Sequence, residues 1–586
     1  MKRSKTIVLS LIVALALLLA ACPDGMEEGE LATVTISLGN PDISRQLVGL
    51  GTASGTTSET HTHKYKLKID DGGFKDFIPG STFSVVTGSH TFEVRAYGNP
   101  DTIWAEPNYP HPFPPEIPVL RAIGKTSGTV SRSGPNRFPV SLDSATEVTS
   151  WSELAWAVQD PKNLYSESRK EIIFLKNPDG FSAVSTITIN REIELRAEGC
   201  DVTIIRDSDF TEEFFNVAGA DSTIGTVAGK LAIGRTLPLS ETDKGSNIGS
   251  PIILDGGSTD DPDTSISALA PLITTAGDCI IGKDVILENN ANDGGYTPGG
   301  VLVTGGTFTL YGQIINNYAA NTDIVTNTVT GNGGGVYMSG GNFVMKEGSV
   351  IAGNTAGNSG GGVYIAYGAE AGGTLSFVME PGARIESNSA NFGGGVSISG
   401  ISTVVHTITF QMKGGIIGGE DKQNTADNGG GGGVFLNGQN ATFQMECDAI
   451  ISSNVTNANG GGVLIAAGTF NMIGGSISGN NAFFTVDGTG NGGGVALMAL
   501  MGGFFNMSGG IITNNKAAPD SDPETGVGGG VYITSGKFDI SAAAEQEYKN
   551  WVKDNLDSSI PPADVWIDSN NSSAEIIGGP GYNNGW

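Results

Sequence analysis

Residues 331 to 354 read GNGGGVYMSGGNFVMKEGSVIAGN, and this pattern recurs along the second half of the chain. In each unit a valine follows the glycine run and a phenylalanine follows the valine. An Ile-x-x-Asn sequence closes most units, as Ile351 and Asn354 do here. Successive valines are separated by 35, 27, 33, 38, 29, 32 and 36 residues. A repeat of about thirty residues indicates stacked supersecondary units.

The repeat positions keep their residue type from unit to unit. The valines are Val301, Val336, Val363, Val396, Val434, Val463, Val495 and Val531. The phenylalanines are Phe308, Phe343, Phe377, Phe410, Phe443, Phe470, Phe505 and Phe538. The closing asparagines are Asn317, Asn354, Asn388, Asn454, Asn480 and Asn514. One unit departs from this pattern, because Ile416 is followed by Gly419 where the others have asparagine.

Each unit contains three apolar segments that are rich in Val, Ile, Phe and Met and too short for helices, so we predict three strands per unit. Glycine runs suit the corners between strands, where the backbone needs a positive φ or a close approach to its neighbour. Three strands and three corners close one coil, and such coils stack in parallel about 4.8 Å apart. We therefore predict an all-β parallel β-helix. Its apolar columns would lie inside, and its asparagines would form a hydrogen-bonded ladder at a corner.

The Gly-Gly-Gly-Val and Ile-x-x-Asn repeats resemble those of large bacterial surface lipoproteins and, more loosely, those of polymorphic outer-membrane proteins. The chain also resembles the right-handed β-helix of the pectin-lyase-like superfamily. The resemblance extends from about residue 150 to residue 540. It implies a right-handed β-helix and an envelope location, but it names no ligand.

Composition and charge narrow the possible partners. Glycine accounts for 88 of 586 residues, yet the apolar columns recur in phase, which disfavours the alternative of a disordered chain. The formal net charge is −29, and it becomes −32 without residues 1–21, which contain Lys2, Arg3 and Lys5 but no acidic residue. Such a surface repels nucleic acid and keeps an exported protein soluble. The basic run from Lys64 to Lys68 is interpreted as the solvated face of one strand.

Residues 1–21 have the features of an export signal. The apolar run from Ile7 to Leu19 has 13 residues, whereas a membrane span needs about 20. The sequence Leu-Ala-Ala-Cys ending at Cys22 resembles the bacterial lipobox, which implies cleavage before Cys22 and acylation of its sulfur and amine. An ordinary cleaved signal peptide is the alternative. In the lipobox interpretation, residues 22–30 are a lipidated tether, and several acyl chains would anchor it stably.

Residues 31–145 contain six short alternating segments separated by polar turns, which predicts a small antiparallel β-sandwich. The stretch from Ser89 to Tyr97 is similar to the late strands of bacterial immunoglobulin-like domains. The proline-rich loop from Asn99 to Pro118 contains Trp104, Tyr109 and Phe113. It is interpreted as a rigid surface loop, with a binding loop for sugar or peptide as the alternative.

Both ends of the predicted β-helix, residues 146–540, need to be covered. Ser150 and Glu153 form a capping box that starts a helix, and this helix would cover the first coil. Residues 541–586 are predicted to form a C-terminal cap, with a short helix from Ala542 to Leu556 and two terminal strands.

Catalysis on this fold needs grouped carboxylates with a basic residue, or carboxylates that hold calcium beside an arginine. Between Val336 and Gly536 the strand positions are overwhelmingly apolar residues, Ser, Thr, Asn or Gly, and the one histidine is His406. Residues 321–323, Asn-Thr-Asp, match the first tripeptide of the polygalacturonase signature, but its other elements do not follow. We therefore predict that the protein is not an enzyme.

Metal binding has only weak candidates, and no cofactor is predicted. Two acidic loops could offer oxygen ligands to calcium: Asp255, Asp260, Asp261 and Asp263 in one, and Asp520, Asp522 and Glu524 in the other. Neither loop matches a defined calcium motif, so solvated corners are the alternative. His61 and His63 would share a strand face, but no third ligand is near them in sequence. The lone cysteines Cys200, Cys279 and Cys447 are interpreted as small buried core residues.

The sequence as a whole predicts a lipid-anchored, monomeric envelope protein that acts as an adhesin-like display module without catalysis. The outer membrane or the cell surface is favoured over the inner membrane, although Pro23 and Asp24 leave that choice open. Its partner would be a glycan or a protein of the host or of a cell surface. Two alternatives stay open: a carbohydrate-active or carbohydrate-binding β-helix protein, and a purely structural envelope protein.

Overall fold

The structure is a computed structural model of the 586-residue chain. The residues it describes are 31–38, 64–70, 72–98, 119–132, 136–140, 143–159, 170–220, 227–234, 251–257, 269–292, 298–323, 328–367, 373–400, 407–483, 490–499, 502–517, 526–540, 552–555, 565–567 and 573–577. The predicted signal peptide, the tether with Cys22, the loop from Asn99 to Pro118, the histidines His61, His63 and His406, and residues 541–551 lie outside them. Contacts divide the chain into two units, Met1–Asp143 and Ser144–Trp586.

The smaller unit contains seven described strands. They are β1 (Leu31–Leu38), β2 (Lys64–Ile69), β3 (Lys75–Phe77), β4 (Thr82–Val86), β5 (Gly88–Gly98), β6 (Val119–Val130) and β7 (Asn136–Val140). In one sheet β1 pairs antiparallel with β4 and parallel with β7, so the unit is not purely antiparallel as predicted. In the other, β2 pairs antiparallel with β3 and β5, and β5 pairs antiparallel with β6. The two sheets share one core, where the rings of Phe92 and Phe138 stack 4.9 Å apart.

The larger unit is built from strands that pair in parallel with the strand one coil earlier and one coil later. Three columns of strands result, named the valine, phenylalanine and isoleucine faces after their inward residues. The valine face contains Ile187–Ile189, Phe215–Val217, Ile273–Thr275, Val301–Val303, Val336–Met338, Val363–Ala366, Val396–Gly400, Val495–Met498 and Val565–Ile567. The phenylalanine face contains Asp143–Val148, Glu171–Leu175, Glu192–Ala197, Lys230–Ile233, Asp278–Ile281, Thr307–Leu310, Asn342–Met345, Thr374–Met379, Gly503–Met507 and Ala574–Ile577.

The isoleucine face contains Phe181–Ala183, Val202–Arg206, Ile252–Asp255, Val285–Glu288, Gln313–Ile315, Val350–Ala352, Arg384–Glu386, Ser476–Ser478, Ile511–Thr513 and Val552–Lys553. Four longer strands bend across two or three faces: Thr407–Gly418, Val434–Ser452, Val463–Met472 and Val531–Asp539. Short corner strands form a fourth column: Ala291–Asn292, Tyr318–Ala319, Thr355–Ala356, Ser389–Phe392, Thr425–Gly430, Val455–Thr456, Asn481–Ala482 and Lys516–Ala517. One antiparallel hairpin pairs Asn321–Asp323 with Thr328–Thr330.

The pairing register places like residues over like residues. Val336 lies opposite Val301 and Val363, and Phe343 lies opposite Phe308 and Phe377. From Phe343 to Phe538, consecutive phenylalanine rings are 4.5 to 4.9 Å apart with interplanar angles of 4° to 12°. The predicted all-β fold with stacked parallel coils, a parallel β-helix-like architecture, is therefore confirmed.

Buried asparagines form a ladder at the corner after the isoleucine face. Its members are Asn290, Asn317, Asn354, Asn388, Asn424, Asn454, Asn480, Asn515 and Asn555. The contacts of Asn388 are typical: its Nδ2 donates to the carbonyl oxygen of Ile351 at 3.0 Å and to Oδ1 of Asn424 at 2.9 Å. Its backbone N–H donates to the same Oδ1 at 3.0 Å. Each amide thus satisfies backbone and side-chain groups on neighbouring coils.

Two sequence assignments in this ladder were wrong. Asn515, not Asn514, occupies the ladder, and Asn514 has a positive φ of 55° beside it. In the unit that lacks asparagine after Ile416, the inward residue is Ile417. Asn424 completes the ladder there, after the chain has passed through the connection between Gly418 and Thr425.

The helix Trp151–Gln159 packs on the first coil with Trp151, Leu154 and Val158 buried, and Trp151 contacts the ring of Phe215. The N–H of Glu153 donates to Oγ of Ser150, as expected for the predicted cap, but the Glu153 carboxylate accepts from Thr149 instead of Ser150. No helix within the described ranges is long and apolar enough to span a membrane.

The coils continue past residue 540. Val552–Lys553, Val565–Ile567 and Ala574–Ile577 each pair in parallel with the coil before them. Val552 and Lys553 therefore form a strand where a helix from Ala542 to Leu556 was predicted. The reason is that Val552-x-x-Asn555 repeats the pattern of the isoleucine face, and Asn555 joins the ladder.

Candidate functional site

The longest connections between Val301 and Asp539 border the valine face. The three longest, from Ala319 to Val336, Ala482 to Val495 and Ala517 to Val531, lead into its strands, and those from Ala366 to Thr374 and Gly400 to Thr407 leave it. Over the same range, connections from the phenylalanine face to the isoleucine face have at most four residues. Insertions in repeat proteins collect on one face, which is often the binding face.

One row of side chains points outward along the centre of the valine face, and it is called the outer column. Strands such as Val336–Met338 bury their first and third residues and leave the second outside. The register aligns these second residues into one row: Thr274, Leu302, Tyr337, Tyr364, Ser397, Phe435, Leu464, Ala496, Tyr532 and Trp566. Four of them are aromatic and half-buried: Tyr337, Tyr364, Tyr532 and Trp566.

These aromatic side chains are arranged in pairs. The rings of Tyr337 and Tyr364 are 5.0 Å apart and tilted by 52°, and those of Tyr532 and Trp566 stack 4.9 Å apart. The middle of the column is covered, since Phe392 stacks on Phe435 at 5.0 Å in a small apolar cluster. The outer column therefore offers two partly open aromatic platforms separated by a closed segment.

Tyr337 and Tyr364 stay neutral over the physiological pH range, because the pKa of each phenol is raised. Burial, with a contribution from Tyr364, raises the pKa of Tyr337 to about 12. Burial also raises the pKa of Tyr364, against which a hydrogen bond with Ser399 acts in the opposite direction. A general base at neutral pH needs a pKa near 7. These phenols are therefore suited to ring stacking and hydrogen bonding, and not to proton transfer.

One pair of carboxylates is brought together on the isoleucine face. Asp255 lies directly opposite Glu288 on the next coil. Burial and then the charge of Asp255 raise the pKa of Glu288, while Oδ1 of Asp255 accepts from the N–H of Gly257 at 2.9 Å. Glu288 was not among the residues predicted from the sequence, although it holds the position of Asp255 one coil later.

Of the seven carboxylates proposed as calcium ligands, Asp255 lies within the described residues. Asp260, Asp261, Asp263, Asp520, Asp522 and Glu524 lie outside the described residues. Where the structure describes the chain, it contains no group of three or more His, Cys, Asp or Glu side chains that could hold a metal ion.

The cysteines differ from one another. Cys279 is buried in line with the phenylalanine column, opposite Phe308, and burial followed by the nearby Asp278 raises the pKa of its thiol. Cys200 is partly buried and packs against the core. Cys447 is exposed, so its assignment as a buried core residue was wrong.

Comparison of the chain with protein-family models, with curated proteins and with solved structures found no match.

Proposed function

We propose that this chain is a non-catalytic, adhesin-like ligand-binding protein of the bacterial envelope, and that the outer column of the valine face is its binding surface. The observation that carries the proposal is the coincidence of two features on one face. The half-buried aromatic pairs lie there, and the longest connections of the regular coils border the same strands. A packed scaffold that bears variable loops and aromatic platforms on one side is the usual plan of a binding repeat protein.

The proposal also specifies the handedness of the β-helix and the type of the smaller unit. Crossovers between parallel strands are almost always right-handed, which supports a right-handed β-helix of the pectin-lyase type. The two-sheet smaller unit is proposed to be an immunoglobulin-like sandwich.

The ligand should be extended and should not be a polyanion. The aromatic platforms lie on separate coils, so a long polymer or a polypeptide can contact both, whereas a small molecule can contact one. The net charge of −29 disfavours a polyanion over most of the surface. A neutral glycan, or a neutral or basic protein segment on a host or cell surface, satisfies both conditions.

The first test is a glycan and protein array probed with the chain that lacks residues 1–21 and carries Cys22→Ser. We expect binding that falls about thirtyfold to nearly a thousandfold in the double variant Tyr337→Ala/Tyr364→Ala, since each central aromatic contact contributes about 1–2 kcal/mol. Tyr311→Ala is the matched control, because Tyr311 is a half-buried tyrosine away from the valine face. Binding that the double variant retains in full would contradict the assigned surface.

Membrane attachment is proposed to occur through acyl groups on Cys22. In a bacterial host, Cys22→Ala should abolish labelling by a fatty-acid analogue and move the protein from the membrane fraction to the soluble fraction. Cys447→Ala, which removes an exposed cysteine elsewhere, should leave labelling unchanged. Labelling that persists in Cys22→Ala would refute the lipoprotein assignment.

A carbohydrate-active enzyme is the second candidate, and the carboxylate pair of Asp255 and Glu288 favours it. Acid–base cleavage of a glycosidic bond requires two carboxyl groups, one of which acts as an acid with a raised pKa, as the pKa of Glu288 is. We expect no new reducing or unsaturated ends from pectins, alginate or glycosaminoglycans. Products that disappear in Glu288→Gln would establish the enzyme instead. The third alternative, a purely structural envelope protein, predicts no ligand on the arrays and no products.

A further inference from the structure

The sheet formed by β2, β3, β5 and β6 in the smaller unit has a lysine-rich outer side. Along β2 the side chains of Tyr65 and Leu67 face the core, so Lys64, Lys66 and Lys68 face away from it. On the neighbouring strands Glu93 pairs with Lys68 and also with Lys125, which places the exposed Lys125 on the same side. These four lysines are named the lysine side.

Among the described residues, this side carries more positive than negative charge. In the part of the chain that the structure describes, none of the four lysines forms an ion pair within 4.0 Å. The acidic neighbour Glu93 is engaged by Arg95 at 2.9 Å, and Arg95 is buried with its guanidinium 4.3 Å from the ring of Phe74. The exposed Asp76 lies beside Lys66. Even with this carboxylate, the cations among the described residues of this side outnumber the anions.

This excess contrasts with the rest of the chain. Residues 31–143 contain ten basic and ten acidic residues, whereas residues 144–586 contain 19 basic and 47 acidic residues. A neutral unit that concentrates cations on one sheet face is a local electrostatic feature and not a result of average composition.

Aromatic rings support the lysine side chains. Nζ of Lys66 lies 5.3 Å from the centroid of Tyr97, and Nζ of Lys68 lies 5.8 Å from the centroid of Phe74. Ammonium groups beside amphipathic aromatic rings suit the headgroup region of a membrane, where lysine stems and aromatic rings contact apolar material and the charges meet phosphates.

We propose that the lysine side docks on an anionic lipid surface and thereby reinforces the anchor on Cys22. The inference rests on the Cys22 part of the proposed function, since Leu31, the first residue of the sheet unit, follows Cys22 by nine residues. A short tether keeps this unit next to the bilayer that holds its acyl chains. Lipid anchors are commonly reinforced by a basic patch of this kind.

The test uses the chain without residues 1–21 and with Cys22→Ser, so that no acyl chain contributes. We expect it to bind vesicles that contain phosphatidylglycerol, to ignore phosphatidylcholine vesicles, and to detach as salt is raised. The triple variant Lys64→Gln/Lys66→Gln/Lys68→Gln should bind about a hundredfold more weakly, because each lysine near an anionic surface contributes about fivefold.

The control is Lys230→Gln/Lys413→Gln/Lys537→Gln, which removes the same charge from exposed positions of the larger unit and should leave vesicle binding nearly unchanged. Unfolding curves verify that both variants fold. Failure of the unacylated chain to bind anionic vesicles, or equal losses in the two variants, would overturn the proposal. Binding to soluble anionic glycans is measured in parallel. If the triple variant lost glycan binding but kept vesicle binding, the proposal would be overturned in favour of a glycan site. Fatty-acid labelling of Cys22 is independent of all these outcomes, so the anchor can stand when the docking fails.

Discussion

Replacement of Asn424 by alanine should lower the free energy of unfolding by about 4 kcal/mol. Oδ1 of Asn424 accepts from the backbone N–H of Asn388 at 3.0 Å and from its Nδ2 at 2.9 Å, while its own Nδ2 donates to Ile385 and Asn454 at 2.9 Å each. The residue is fully buried, so no water replaces these partners. Each buried polar group left without a partner costs about 1–3 kcal/mol. Urea unfolding followed by circular dichroism measures the shift of the midpoint.

The matched control is Asn342→Ala. Asn342 begins a phenylalanine-face strand with its side chain exposed, and the equivalent position one coil later is Ser376. Its replacement should change the free energy of unfolding by less than about 0.5 kcal/mol. Similar midpoints for the two variants would show that the ladder does not contribute as its hydrogen bonds indicate.

The ladder also marks the limit of what the repeat pattern predicts. Residues 511–515 read Ile-Ile-Thr-Asn-Asn, so both Ile511 with Asn514 and Ile512 with Asn515 satisfy the spacing. Strand pairing decides between them, because it aligns Ile512 with Ile477 and leaves Ile511 42% exposed. Only stacking on the neighbouring coil distinguishes the two registers, and a single unit does not contain that information.

Asn424 was missed for a different reason. The connection between Gly418 and Thr425 is longer than in the other regular coils, so a search at fixed spacing does not reach it. The fold tolerates the extra residues because they extend outward at a corner, at little cost in loop entropy. A hydrogen-bonding position that recurs from coil to coil can therefore be kept even where the spacing in the sequence changes.

The N-terminal end of the asparagine ladder could not be predicted from the sequence repeat. Nη2 of Arg206 donates to Oδ1 of Asn290 at 3.0 Å, in the place that an earlier asparagine would take. Arg206 also donates to the backbone carbonyls of Glu212 and Ala270. Burial lowers the pKa of Arg206 to about 10, with Glu212 and Glu213 acting in the opposite direction. This arginine belongs to the irregular first coils, which lack the repeat.

The candidate site could be predicted in part from the sequence. Tyr337 and Tyr364 each follow an inward valine, and simple strand alternation turns them outward. Alternation does not show that Phe392 covers Phe435, since that contact depends on how the corner strand lies against the valine face. Local periodicity thus predicts the direction of a side chain, while its exposure depends on neighbouring segments.

Replacement of Gly462 by alanine should destabilise the β-helix by about 3 kcal/mol. A Cβ atom there would lie 2.6 Å from the carbonyl oxygen of Gly494, 3.0 Å from Nδ2 of Asn480 and 3.0 Å from Cγ2 of Ile477. The carbonyl cannot retreat freely, because it accepts from the N–H of Val463 at 2.9 Å. Overpacking of this kind costs about 1–3 kcal/mol, and the crowding here involves backbone and ladder together.

Gly373→Ala provides the opposite expectation. A Cβ atom at Gly373 would meet no atom of the described residues within 4 Å, so the variant should be neutral or more stable by about 0.4–1 kcal/mol through reduced freedom of the unfolded chain. Both variants replace a glycine by alanine, so the intrinsic effect of that exchange on the unfolded chain is the same in each. Urea midpoints measured side by side therefore isolate the cost of packing at Gly462. The glycine before the valine lies against the ladder on the neighbouring coil, as Gly462 does. If Gly462→Ala had the same urea midpoint as Gly373→Ala, the coils would not stack as closely as the outer column requires.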